Sequence, residues 1–211
     1  MSTQEHYFSG EPASTGDLRP LRVRLRGREV AVHTASGVFS GDRLDPGTRV
    51  LLDAVEDPPP EGTLVDVGCG WGPLALAMAQ ASPGADVLAV DVNARARDLT
   101  SRNAAGLGLT NVTTMSPEQA LERLGDPAGG PGGIDEIWSN PPIRIGKGPL
   151  HALLTTWLGR LAPTGRAHLV VQRNLGADSL HRWLADEGFE VTRTASSKGY
   201  RVLSVQGSAT R

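Results

Sequence analysis

Cys69 is the only cysteine among 211 residues. A disulfide within the chain is therefore excluded, and so is a zinc site built on several thiolates. No apolar run approaches the roughly 20 residues that a membrane helix needs, and residues 1–20 hold no signal-peptide core. The expectation is a cytoplasmic protein that makes no use of a membrane. Net charge is scarce too: 21 Lys and Arg against 23 Asp and Glu leave −2. A nucleic-acid partner would have to be met by a local basic patch. The five histidines (His6, His33, His151, His168 and His181) show no metal-ligand spacing with acids or with Cys69, so no metal is expected. No internal repeat is visible. The length and the 39% hydrophobic content allow one full core with a small appendage.

What the chain does contain is concentrated between Gly62 and Asn93. A short apolar strand ends in Asp66 and runs into Gly68, Gly70 and Gly72; a second apolar strand ends in Asp91, Val92 and Asn93. Nucleotide-like cofactors are held in this way at the ends of two parallel strands. A dinucleotide loop needs a further glycine for close helix packing and a helix N-terminus for pyrophosphate. Here Pro73 follows Gly72, and an acid precedes the loop. An acid repels pyrophosphate but suits a cation. S-adenosylmethionine (SAM) has no phosphate and carries a sulfonium and an amino group, so the pattern points to SAM. Asp91 can accept both ribose hydroxyls, in SAM as in NAD, and alone does not discriminate. The plain alternative is a tight strand-to-helix turn that binds nothing.

Around this motif the chain alternates strand and helix. Strands are expected at 63–67, 86–90, 112–115, 134–139, 167–172, 190–195 and 200–206. Helices are expected at 73–81, 94–107, 117–124, 149–161 and 177–187. Such alternation predicts an α/β fold: a Rossmann-like, seven-stranded, mostly parallel sheet with helices on both faces. Only Ser196–Gly199 separates the last two strands, so they form an antiparallel pair. Residues 125–133, with two prolines, read as a loop. Residues 1–60 are expected to form a loose N-terminal arm (1–20), a hairpin over Leu21–Val32 turning at Gly27–Arg28, and a short helix from Gly47 to Asp53; residues 61–208 form the cofactor-binding domain. Arg22, Arg24, Arg26 and Arg28 share one face of that hairpin. They serve either as a solvated edge that blocks aggregation or as an RNA-facing stripe.

A second motif closes the fourth strand: Asn140-Pro141-Pro142-Ile143. In an open α/β sheet this strand end faces the same crevice as the glycine loop. Two prolines remove N–H groups and stiffen the turn. The surface left is rich in acceptors, the Asn140 side-chain oxygen and the Pro141 carbonyl. A planar amino group can donate both hydrogens to them, which draws its lone pair toward an electrophilic methyl. A rigid turn capped by Asn140 is the structural alternative.

Through these residues the sequence resembles the class I SAM-dependent methyltransferases, and within them the "methyltransferase small" family, which includes bacterial ribosomal RNA guanine-N2 methyltransferases. The resemblance runs over nearly the whole chain. It is carried by Glu5–Phe8, Gly37–Ser40, Leu44–Thr48, Asp66–Gly72, Asp91–Asn93, Asn140–Ile143, Gly146-Lys147 and Lys198–Tyr200. It implies that Asp66, Gly68, Gly70 and Gly72 line the methionyl part of SAM. It further implies Asp91 on the ribose, Val92 and Asn93 beside the adenine, and Glu118 in place of the acid that usually receives the adenine amine. Asn140 and Pro141, stiffened by Pro142, take the target amine. Ile143 stands where adenine- and glutamine-modifying relatives carry an aromatic ring, which argues for guanine N2 in ribosomal RNA of the 16S type. Phe39, Ile143, Arg144, Lys147 and Lys198 are the implied substrate contacts, with Arg201 a further candidate for RNA, and ribosomal RNA or a ribosomal subunit is the implied partner. Some family members carry an extra degenerate domain for RNA docking; here only about sixty residues precede the cofactor-binding domain. Methylation of another RNA, of a protein or of a small-molecule amine is an alternative, and so is a SAM- or RNA-binding module without turnover.

Overall fold

A computed structural model describes residues 18–125 and 133–207. Most of the expected arm, with His6 and the Glu5–Phe8 segment, and most of the expected 125–133 loop lie outside the described residues. The first elements are β1 (Arg19–Leu25) and β2 (Arg28–Thr34), which pair antiparallel with Leu25 opposite Arg28. Their turn is Arg26–Gly27, one residue earlier than the sequence suggests. Both residues have positive φ, 45° and 82°, as a two-residue hairpin turn requires. Val23, Leu25, Val30 and Val32 face the core, while Arg22, Arg24 and Arg28 are exposed.

Arg26 does not belong to that exposed face. Its guanidinium donates to the carbonyls of Leu52 (2.9 Å) and Val55 (2.8 Å) and pairs with Asp57 at 2.8 Å. It also lies 5.6 Å from the ring centroid of Trp138. Arg26 thus satisfies open carbonyls at the C-terminal end of α1 (Pro46–Ala54). That helix begins earlier than the Gly47 start read from the sequence. Asp45 is its N-cap, accepting from the Thr48 N–H, and Pro46 occupies the first turn.

The main sheet contains β3 (Thr63–Val67), β4 (Asp86–Val90), β5 (Val112–Met115), β6 (Ile134–Ser139), β7 (Leu161–Gln172), β8 (Glu190–Ser197) and β9 (Tyr200–Gln206). Their spatial order is β5-β4-β3-β6-β7-β9-β8. β3 to β7 run parallel, and β9 is antiparallel to both neighbours, β7 and β8. The expected seven-stranded sheet is therefore present, with β9 inserted between β7 and β8. The chain reverses its direction of travel between β3 and β6, and ligands bind at such a switch point.

Helices cover both faces: α2 (Pro73–Ala81), α3 (Ala94–Gly106), α4 (Pro117–Leu124), α5 (Lys147–Leu158) and α6 (Ala177–Asp186). One core joins the hairpin, α1, α2 and α3 to the sheet, and the other joins α4, α5 and α6 to the opposite face. α5 starts and ends earlier than the 149–161 span read from sequence. β7 starts at Leu161 rather than 167, and its pairing with β6 shifts register between Ile134 and Glu136. The irregularity lets Pro163 and Gly165 sit within a strand. Gly165 is needed there because a Cβ would fall 2.4 Å from the Ile134 carbonyl oxygen.

Inside the first core Glu136 accepts from the Trp138 indole N–H at 2.6 Å and lies 3.6 Å from His168 Nε2. Burial pushes the Glu136 carboxyl up. Burial, then the Arg166 charge, push His168 down to about 4. The His168–Glu136 contact is accordingly a neutral imidazole beside a carboxyl, and no stabilising ion pair is assigned to it.

Candidate active site

β3 delivers Asp66 to the switch point fully buried. One carboxyl oxygen accepts from the Ala75 N–H at 2.9 Å, in the first turn of α2. The other, Oδ1, is buried with no hydrogen-bond partner among the described residues. Burial pushes this carboxyl up to about 8; the Ala75 hydrogen bond opposes the shift and the Asp91 charge adds to it. A buried carboxyl oxygen left without a partner in this way is expensive unless a ligand meets it.

The glycine loop curls over the ends of β3 and β4. The N–H groups of Gly68 and Cys69 both reach the Val90 carbonyl, at 2.8 and 3.0 Å. The Gly70 N–H donates to Asp91 Oδ2 at 3.0 Å, and Thr100 holds the Gly70 carbonyl at 3.0 Å. Gly72 shows why the loop must be glycine. Its φ is 100°, and a Cβ there would stand 2.9 Å from the Thr100 methyl.

Asp91 accepts from Gly70 on one oxygen and from the Asn93 N–H (2.9 Å) on the other. Burial raises its carboxyl above the usual range, partly offset by those two N–H donors and by Arg97. Four acceptor sites on a carboxylate leave room for ribose hydroxyls. Val92 is 60% exposed, an apolar platform at the β4 end. Asn93 holds the local structure together. Its oxygen caps α3 through the Arg95 N–H and its amide holds the Gly37 carbonyl, both at 2.9 Å. Glu118 is exposed in the first turn of α4. It accepts from the Ser116 hydroxyl at 2.7 Å, which lowers its carboxyl below the usual range. Ser116 and Gln119 form a capping box.

Asn140 follows β6 on the other side of the switch. Its amide nitrogen donates to Asp45 Oδ1 at 2.8 Å and to Thr48 Oγ1 at 3.1 Å. Both amide hydrogens are used, and the side-chain oxygen is the atom left over. The Pro141 carbonyl accepts from the Ile143 N–H at 2.8 Å, which leaves one lone pair. Asn140, Asp45, Asp66, Gly68, Gly70 and the half-exposed Phe39 line one cavity. Asp45 and Thr48 have no site role in the sequence reading. The signal available was the Asp-Pro-Gly-Thr helix start, which places an N-cap carboxylate at the end of α1 nearest the crevice.

None of the other expected substrate contacts lines this cavity, and Ile143 is partly buried against the second core. Ile143, Arg144 and Lys147 follow Asn140 directly, with Arg144 and Lys147 exposed. Lys198 sits in the β8–β9 turn with φ 50°. That turn is tied to the end of β7, where the Arg173 N–H donates to the Gly199 carbonyl at 2.8 Å. Tyr200, just after it, lays its ring on Gly47. Arg201 pairs instead with Asp178 of α6. Two of the hairpin arginines, Arg26 and Arg28, stand away from the crevice. Arg26 is at the end of α1 opposite Asp45, and Arg28 donates to the Gln80 carbonyl at 3.4 Å, at the end of α2 opposite the glycine loop.

The residues present fit SAM. The open Oδ1 of Asp66 offers a place for a cationic donor, the glycine loop admits a close approach, and Asp91 retains acceptor capacity.

Comparison with known proteins adds to this geometry. The profile of the methyltransferase small domain matches residues 29–204. The uncharacterized protein YbxB of Bacillus subtilis is 33% identical over 202 residues, 96% of this chain and 98% of its own. Ribosomal RNA small subunit methyltransferase C of Chromohalobacter salexigens is 34% identical over 188 residues, 85% of this chain and 52% of its own. The protein of that name from Pseudomonas syringae is 36% identical over 129 residues, 61% of this chain and 36% of its own. Among solved structures, the T. thermophilus 16S rRNA N2 G methyltransferase RsmC, in complex with AdoMet and guanosine, has a TM-score of 0.72 at 26% identity. The match covers 92% of this chain and 52% of that one. The chain thus spans about half or less of these ribosomal RNA methyltransferases and nearly all of the Bacillus protein.

Proposed function

The chain belongs to the methyltransferase small domain family, and from that membership we propose that it methylates the N2 amine of a guanine in ribosomal RNA, free or within a ribosomal subunit. Methyltransferase activity and dependence on SAM come with the family. The observation that carries the amine target is the Asn140 side chain, whose two N–H bonds to Asp45 and Thr48 leave only its oxygen for a ligand. That oxygen and the free lone pair of the Pro141 carbonyl accept the two hydrogens of a planar amine. The amine is thereby oriented, and its nitrogen lone pair is drawn out of conjugation with the ring.

Bound SAM supplies an electrophilic methyl group on a sulfonium. Transfer of that methyl would form the nitrogen–carbon bond, break the carbon–sulfur bond with its electron pair left on sulfur, and place the positive charge on the amine nitrogen. The methylated amine then gives one proton to water, so no strong base is required of the protein. Asp66 and the glycine loop fix the donor side, while Asn140 and Pro141 fix the acceptor side. The exposed Arg144, Lys147 and Lys198 suit phosphates of the target strand.

The test is mass spectrometry of ribosomal RNA nucleosides from cells with and without the protein. The expected result is loss of one 2-methylguanosine without it. An unchanged set of methylated guanosines would overturn the target assignment.

A further inference from the structure

We propose that Asp45 selects guanine among the bases by accepting its N1–H beside the N2 amine held at Asn140. The inference rests on the guanine reading above and adds the residue that makes the choice. Asp45 Oδ1 is heavily used: it accepts from the Thr48 N–H at 2.9 Å, the Thr48 hydroxyl at 3.5 Å and the Asn140 amide at 2.8 Å. Its second oxygen, Oδ2, accepts no hydrogen bond from the described residues. Asp45 and Asn140 line the same cavity. Two acceptor oxygens are thereby left free at one cavity, Asn140 Oδ1 and Asp45 Oδ2, on side chains joined by the 2.8 Å bond between them.

The Tyr200 ring helps hold this arrangement. A Cβ on Gly47 would stand 2.8 Å from it and 3.0 Å from Asp45 Oδ1, so ring, helix start and carboxylate are in close packing. Burial and the Asp45 charge both raise the Tyr200 phenol.

Three bases carry an exocyclic amine, and they differ in the neighbouring ring nitrogen. Adenine N1 and cytosine N3 are acceptors. Guanine N1 carries a hydrogen. Two adjacent acceptors match the guanine edge and oppose the other two with a carboxylate oxygen against a lone pair. A site that leaves buried polar atoms facing the wrong partner discriminates strongly.

2-Aminopurine riboside isolates the point, because it keeps the 2-amino group of guanosine but has an acceptor at N1. Binding of guanosine and of 2-aminopurine riboside would be measured by calorimetry with S-adenosylhomocysteine present. The proteins compared are the wild type, Asp45→Asn and Thr48→Val. Asp45→Asn keeps an oxygen for the Thr48 N–H and for Asn140, and Asn is a good N-cap, so α1 keeps its start. It places a donor where Oδ2 was. The wild type should prefer guanosine by roughly tenfold to a hundredfold, the range of one charge-assisted hydrogen bond. In Asp45→Asn the preference should vanish or invert. The missing O6 of 2-aminopurine affects all three proteins alike and cancels in the comparison. Thr48→Val removes one support of Asn140 and should keep the preference.

An undiminished preference in Asp45→Asn overturns the inference and leaves the guanine reading standing. A preference lost equally in Thr48→Val also overturns it, by assigning selection to Asn140 orientation alone. Failure of guanosine to saturate the wild type removes the guanine reading and this inference with it.

Discussion

Asp66→Asn should free the ligand-free protein from a pH-dependent loss of stability while weakening its hold on SAM. Burial moves the Asp66 carboxyl from 3.8 to about 8. The folded chain therefore keeps a proton that the unfolded chain gives up. The associated stability is complete below pH 3.8 and is lost as the pH climbs toward 8. At about 1.36 kcal/mol per pH unit, the loss between pH 5 and pH 7 is about 2.7 kcal/mol. For a chain of this size that corresponds to a Tm change of about 5–10 °C. The Asn side chain accepts the Ala75 N–H equally well and does not titrate. The Tm of Asp66→Asn minus that of the wild type should thus widen by about 5–10 °C from pH 5 to pH 7.

His168 acts in the opposite sense. Its folded value of about 4 lies below 6.5, so its stability is present above 6.5 and lost as the pH falls toward 4. That contribution is common to both proteins and cancels in the difference. A bound cation at Oδ1 draws the Asp66 carboxyl back down, so SAM binding at pH 7 should release a proton. Thermal unfolding across pH 5–8, with calorimetry in two buffers of different ionisation enthalpy, reads both effects. A Tm gap that does not change with pH, together with binding that releases no proton, would refute the reasoning.

Asn140→Ala should lower kcat by roughly 10²–10³-fold, the scale of one lost transition-state hydrogen bond, and leave the SAM Kd within about threefold; wild-type turnover would remove the amine-orienting role. Gly72→Ala forces a side chain to φ 100° against Thr100. It should cost about 1–3 kcal/mol and raise the SAM Kd at least about tenfold, read by chemical unfolding and calorimetry; unchanged SAM affinity would show that the loop does not bear the cofactor. Arg26→Met removes the donors to Leu52 and Val55 while keeping an apolar stem over Trp138. A loss of about 1–3 kcal/mol in denaturant unfolding is expected, and a loss near zero would show that the helix end needs no partner.

The grouping of Asp66, the glycine loop and Asp91, the proposed cofactor half, was legible because it is local. Asp66, three glycines and Asp91 lie within one strand-loop-helix-strand unit, and period and residue type place them at two neighbouring strand ends. The target half was legible only in part. Asn140 and its prolines announce an acceptor corner, but the partners that orient the amide are Asp45 and Thr48, 95 and 92 residues away in sequence. No periodicity reveals a contact of that separation. The same limit applies to the position of β9, since the sequence calls for a hairpin but does not say which strand takes the inner place. Boundaries shifted where glycine and proline carry two meanings. Pro163 and Gly165 read as punctuation yet lie in an irregular stretch of β7, and Lys147-Gly148 reads as loop yet opens α5. Arg26 left the arginine stripe because a turn residue with positive φ aims its side chain off the strand face.

The inner place of β9 ties competence to the order in which the polypeptide is made. Asp66, Gly72 and Asn140 emerge early, yet the ring packed on Gly47 belongs to Tyr200, the first residue of a strand that must slot between two others already synthesised. Until residues 200–206 arrive, β7 and β8 present unmatched backbone edges and the start of α1 lacks the ring packed on it. A nascent or clipped form stopping short of Tyr200 would leave Gly47 and the Asp45 cap without that cover.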